Sequence, residues 1–135
     1  YATATPTNVE PTSQINSIGV AKLQATANLY FVWNDATGTA SSLDLGAGFS
    51  GVDTACTYRM RIYKVVGVAA ITLELTKVVN ATGVVTIAST VITSDYNTGA
   101  TMYPVIWMGN NTAVSGAVSF KNYGCQMTKH GLVNA

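Results

Sequence analysis

Apolar and polar residues alternate with a period of two through much of this chain. Between positions 57 and 64, Tyr58, Met60 and Ile62 fall on one side while Arg59, Arg61 and Tyr63 fall on the other, the pattern of a strand with one face in a core and one in water. Ile71, Leu73 and Leu75 then alternate with Thr72, Glu74 and Thr76. A helix would need apolar recurrence near 3.6, and neither segment has it. Short β-branched and aromatic runs of this kind recur along the chain, separated by Gly, Asn, Asp and Ser. They predict strands at 15–23, 28–33, 41–45, 57–65, 70–79, 84–93, 102–108 and 114–123. The segment Asn80-Ala81-Thr82-Gly83, between two β-branched runs, predicts a hairpin. Further turns are expected at 34–38, 46–48, 97–99 and 109–111. No segment has the composition and period of a helix, although 18–28 is easily misread as one because of Lys22, Leu23 and Gln24.

Eight short strands in one small domain must stack as two layers or close on themselves, because a single sheet leaves an apolar face in water. The expected fold is therefore all-β, a single antiparallel β-sandwich of jelly-roll-like form. It occupies residues 14–127, after an extended N-terminal arm or linker at 1–13 broken by Pro6 and Pro11, and before a C-terminal tail at 128–135. No repeat of solenoid or propeller type is visible.

The 135 residues suffice for one core and not two. Apolar residues make up 48% and charged residues 10%, so the chain reads as globular with a surface of Thr, Ser, Asn and Gly. The net charge of +1, with scattered Lys and Arg, gives no basic stripe for nucleic acid. The longest apolar run, 65–71, is far shorter than the roughly 20 residues a spanning helix needs, so no membrane insertion is expected. Residue 1 is Tyr and no leader pattern follows, which reads as a fragment or processed product.

Chemistry-bearing motifs are sparse, and neither enzyme activity nor a catalytic residue is expected. The one histidine, His130, sits in the C-terminal tail. Gly-x-Ser-x-Gly, zinc-ligand spacing and phosphate-binding glycine loops do not occur. No cofactor is expected and no metal site is assigned: the aspartates sit at turns, where Asp is favoured for its own backbone hydrogen bonds, and lack calcium-loop spacing. A glycan hydrolase using Asp35 or Asp95 as the acid is the least favoured of three functional readings.

Aromatic residues beside Asn and Asp form the remaining signal. Sugar-binding surfaces stack rings on pyranose faces and fix hydroxyls with amides and carboxylates. On that logic the candidate glycan-binding residues are Trp33, Asn34, Asp35, Tyr96, Asn97, Trp107 and Asn110. The competing reading makes the same aromatics core or sheet-packing residues. Asn80 and Asn110 each begin a sequon, relevant in a eukaryotic secretory route. Cys56 and Cys125 allow two readings. A disulfide closing the long loop between them would contribute about 4 kcal/mol on loop-entropy grounds, whereas in a reducing compartment both stay free buried thiols.

The run Trp33-Asn34-Asp35-Ala36-Thr37-Gly38-Thr39-Ala40, followed by Leu43-Asp44-Leu45-Gly46 and then Phe49, resembles a segment of phage tail-fibre and other virion structural proteins. There a strand ending in an Asn-Asp-x-x-Gly-Thr-Ala turn precedes a Leu-Asp-Leu-Gly strand and an aromatic. The Tyr-rich strand and hairpin that follow are also similar, and the resemblance spans about 14–127. It implies a non-enzymatic β-sandwich fibre module, a homo-oligomer with a trimer favoured, that binds host surface glycan or mediates attachment. The implied partners are other virion proteins and bacterial surface polysaccharide. The implied location is the extracellular virion particle after assembly in the host cytoplasm. The alternative is a purely structural virion subunit, a capsid decoration, shaft or pilus-like assembly protein, whose arm and sheet edges pair with neighbours.

Overall fold

The computed structural model describes residues 10–37, 40–65 and 67–96. Six strands lie in them: β1 (Ser17–Lys22), β2 (Leu29–Asn34), β3 (Ser41–Asp44), β4 (Cys56–Tyr63), β5 (Ile71–Val79) and β6 (Val85–Ile92). Each coincides, within two residues at either end, with a strand read from the alternation. The expected strands at 102–108 and 114–123 lie outside the described residues. The helix-like Lys22, Leu23 and Gln24 form the end of β1 and its turn into β2.

The protein is all-β, and its described residues form two antiparallel three-stranded sheets in the orders β1-β2-β3 and β4-β5-β6. Each sheet is a meander of strands consecutive in the sequence. One apolar cluster joins them: Ile18, Leu29 and Phe31 from the first sheet, Leu73, Leu75 and Ile92 from the second, and Phe49 from the connection between them. Phe31 and Leu73 are completely buried, and each large side chain so removed from water contributes roughly 1.5–3 kcal/mol.

Strand β4 shows the alternation at work. Tyr58, Met60 and Ile62 pack against the core, whereas Arg59, Arg61 and Tyr63 are exposed. Its partner β5 aligns Ile62 with Leu73 and Met60 with Leu75, so the inner face is apolar across both strands. The Asn80–Gly83 hairpin forms as expected: Val79 N–H donates to Val84 O (2.9 Å) and Gly83 N–H to Val79 O (2.8 Å). Gly83 has φ +70°, a left-handed conformation open to glycine at little cost.

Strand β2 is buried on both faces. Leu29 and Phe31 enter the core, and on the other side Val32 and Asn34 are buried as well. A 3-10 turn at Pro11–Ser13 packs against this strand. The last residues of the expected arm are thus held on the sheet: Gln24 N–H donates to the Glu10 carboxylate at 3.1 Å, and Ser17 Oγ to Gln14 O at 2.8 Å. No helix among the described residues is long and apolar enough to cross a membrane.

Candidate functional site

Strand β2 ends in the turn that carries the first three glycan-binding candidates. Trp33 is half-buried and packs against the core cluster. Asn34 is 6% exposed, and its Oδ1 accepts the Ala36 N–H at 2.8 Å. Asp35 Oδ1 accepts both the Thr37 N–H (2.8 Å) and the Thr37 hydroxyl (2.7 Å). Those two bonds, the hydroxyl first, hold the Asp35 carboxyl below its ordinary range, so at neutral pH it is an acceptor and a poor general acid. The turn strains Ala36 into the left-handed region at φ +72°.

Tyr96 also packs against the core cluster. Asn97, Trp107 and Asn110 lie outside the described residues, as does Cys125. Of the candidates in view, Trp33, Asn34 and Asp35 are brought together by one turn, and each is occupied with packing or with its own backbone. Asp95, the other candidate acid, accepts the Ser94 hydroxyl at 2.9 Å.

A different constellation emerges on the first sheet. The pairing of β2 with β3 sets Tyr30 opposite Asp44. Tyr30 Oη donates to Asp44 Oδ2 at 3.0 Å, and Asn28 Nδ2 reaches both carboxylate oxygens at 3.0 and 3.1 Å. Gly46 N–H donates to Oδ1 at 2.7 Å, and this bond leads the lowering of the Asp44 pKa, followed by that from Asn28. A ring, an amide and an ionised carboxylate therefore meet at the surface. The sequence shows Asp44 only as part of Leu-Asp-Leu-Gly; strand register is what brings Asn28 and Tyr30 to it.

The second polar cluster ties the β3–β4 connection to β5. Lys77 Nζ donates to Gly48 O (2.9 Å) and meets Asp53 Oδ2 at 3.1 Å. The Cys56 thiol donates to the same Asp53 oxygen at 3.1 Å, and Ala55 N–H to Oδ1 at 2.9 Å. With the thiol first, then the Ala55 amide and Lys77, these donors lower the Asp53 carboxyl to about 2. Burial, then the Asp53 carboxylate, pushes the Cys56 thiol up, and Asp53 raises Lys77. The thiol is a free, protonated cysteine, unsuited to attack as a thiolate. Tyr58 Oη, donating to Ser50 O at 2.9 Å, completes the clamp.

The outer face of the second sheet differs from both clusters. It presents Arg59, Arg61 and Tyr63 of β4 and Val85, Ile87 and Val91 of β6, all exposed. Arg61 pairs across the sheet with Glu74 at 3.1 Å and lies 5.0 Å over the Tyr63 ring. Among the described residues no three His, Cys, Asp or Glu side chains gather as a metal site would require.

No protein family, curated protein or solved structure matches this chain.

Proposed function

We propose that this chain is a non-enzymatic virion fibre module, built as a two-sheet sandwich, that works by contact with neighbouring copies in a homo-oligomer, a trimer. The meander order of both sheets favours a plain sandwich over a jelly-roll crossing. The observation that carries the reading is the outer face of β4–β6. Arg and Tyr at its β4 side, Thr along β5 and Val and Ile on β6, with Glu74 as a lone acid, match the composition of subunit interfaces, which favour Tyr and Arg over Lys, Glu and Asp. Asp35, Asp44 and Asp53 accept backbone N–H groups of their own turns and Glu10 tethers the chain before β1, which suits a structural part. The resemblance of the 33–49 segment to virion fibre proteins supplies the setting.

Size-exclusion chromatography with light scattering tests this. The full chain should run as a trimer, and Tyr63→Glu, with circular dichroism unchanged, should reduce it to monomers. A strict monomer at high concentration overturns the reading.

The Asn28–Tyr30–Asp44 constellation favours a second reading, attachment to bacterial surface polysaccharide. It predicts retention of the protein on host cell-wall glycans and loss of retention in Tyr30→Ala.

A further inference from the structure

We propose that the polysaccharide met by the Asn28–Tyr30–Asp44 constellation carries a free ammonium group, as an amino sugar whose nitrogen is not acylated does. This rests on the attachment reading of that site and narrows it to one chemical class. The direction of each hydrogen bond in the constellation carries the argument. A carboxylate only accepts, so every group that meets Asp44 must donate to it. Gly46 N–H and Asn28 Nδ2 supply Oδ1, and Asn28 Nδ2 and Tyr30 Oη supply Oδ2. Those contacts fill the roughly four lone-pair positions of the carboxylate. They also use up the donors, since the hydroxyl hydrogen of Tyr30 and the amide hydrogens of Asn28 all turn toward Asp44. What remains for a ligand is Tyr30 Oη and Asn28 Oδ1, both acceptors.

Charge points the same way. The bonds from Gly46 and then Asn28 hold the Asp44 carboxyl below its ordinary range, so the exposed side chain is ionised at neutral pH. Among the described residues no Lys or Arg pairs with it: the ion pairs are Arg61 with Glu74 and Lys77 with Asp53. Acceptors gathered round a full negative charge repel a uronate or a phosphate and hold no donor for an N-acetyl carbonyl. An ammonium brings only donors and the opposite charge, which makes its hydrogen bonds to Tyr30 Oη and Asn28 Oδ1 charge-assisted.

The ring makes the ammonium that of a sugar. Tyr30 is half-buried and lies between Asp44 of β3 and Ala21 of β1, with Gly19 next along β1 on the same face. β1 therefore raises no side chain longer than a methyl beside the ring. A pyranose can lie against that shelf with its nitrogen directed at Asn28 and Asp44, the ring taking the apolar sugar face and the acceptors fixing the amine. The site belongs to the first sheet and stands apart from the subunit contact proposed for the second.

Titrating the full chain with glucosamine oligosaccharides, followed through the NMR signals of Asn28 and Tyr30, tests this against N-acetylglucosamine and glucose oligosaccharides of equal length. In mildly acidic buffer the amino form should bind roughly 5-fold or more tightly than either. That margin should shrink as salt is added and vanish in alkaline buffer, where the sugar amine is neutral. Asp44→Asn should erase it as well. Equal binding of all the sugars overturns the ammonium assignment and leaves the attachment reading standing. Binding of none of them likewise overturns it, and the attachment reading is then judged separately by retention on host cell-wall glycans. Tighter binding of a lysine oligopeptide of the same charge would assign the site to a protein amine and overturn the sugar. A margin that persists in a folded Asp44→Asn chain also overturns the proposal; should that variant not fold, the salt and alkaline series on the wild-type chain still decide.

Discussion

Replacing Asn34 by alanine separates a turn-former from a ligand-binding residue at the position where both roles were plausible from sequence. The amide is 6% exposed and its Oδ1 holds the Ala36 N–H at 2.8 Å. Removing it deletes a neutral hydrogen bond with a net contribution of about 1 kcal/mol, while the Ala36 N–H left behind belongs to an exposed residue and turns to water. The expected loss is therefore about 1 kcal/mol. For a domain of this size, with a urea dependence of about 1–3 kcal/mol per molar, the unfolding midpoint should fall by about 0.5 M. Thr37→Ala, which removes only an exposed hydroxyl donor from Asp35, is the control and should shift stability by less than about 0.5 kcal/mol. The reasoning is refuted if Asn34→Ala unfolds at the wild-type midpoint while retention on host glycans is lost, for then the amide serves a ligand and not the turn.

Further outcomes follow from the same geometry. Ala36→Gly should raise stability by up to about 1 kcal/mol, because glycine removes the left-handed strain at φ +72°, and a rise in the melting temperature would register it. Leu73→Ala, at a completely buried position between the sheets, should cost about 2–5 kcal/mol by urea unfolding; a loss under 1 kcal/mol would mean that the two sheets do not share a core. Asp53 has its folded pKa depressed from the ordinary 3.8 to about 2, so its contribution is complete above pH 4 and disappears as pH falls through about 2. Asp35 and Asp44 are lowered too, and Asp53→Asn should flatten the acid limb of stability against pH only in part. Deleting residues 1–13 removes the Glu10 tether and the turn packed on β2. It should therefore lower the unfolding midpoint, apart from any effect on assembly.

The strands were legible because their alternation is local. Arg59, Arg61 and Tyr63 against Tyr58, Met60 and Ile62 needs only a period of two, and Asn80–Gly83 carries its turn chemistry within four residues. Phe49 was harder, being a core residue in a connection where no periodicity marks it; Leu29 N–H donating to Phe49 O at 2.8 Å is what holds it there. Asn28, Tyr30 and Asp44, and likewise Asp53 and Lys77, are joined by strand register and by the passage of a loop over a distant strand. Neither leaves a trace in the spacing of residues. Trp33 and Asn34 carried the right signal for a turn, and only their burial shows how far that turn is built into the sheet.

Because every strand in view pairs with its neighbour in sequence, each sheet can assemble from hairpins whose ends are close along the chain. Such local closures come early and cost little loop entropy. On a ribosome the first meander would be complete before β4 emerged, and among the described residues the gathering of Phe31 with Leu73 and Leu75 into one core is a later, long-range step.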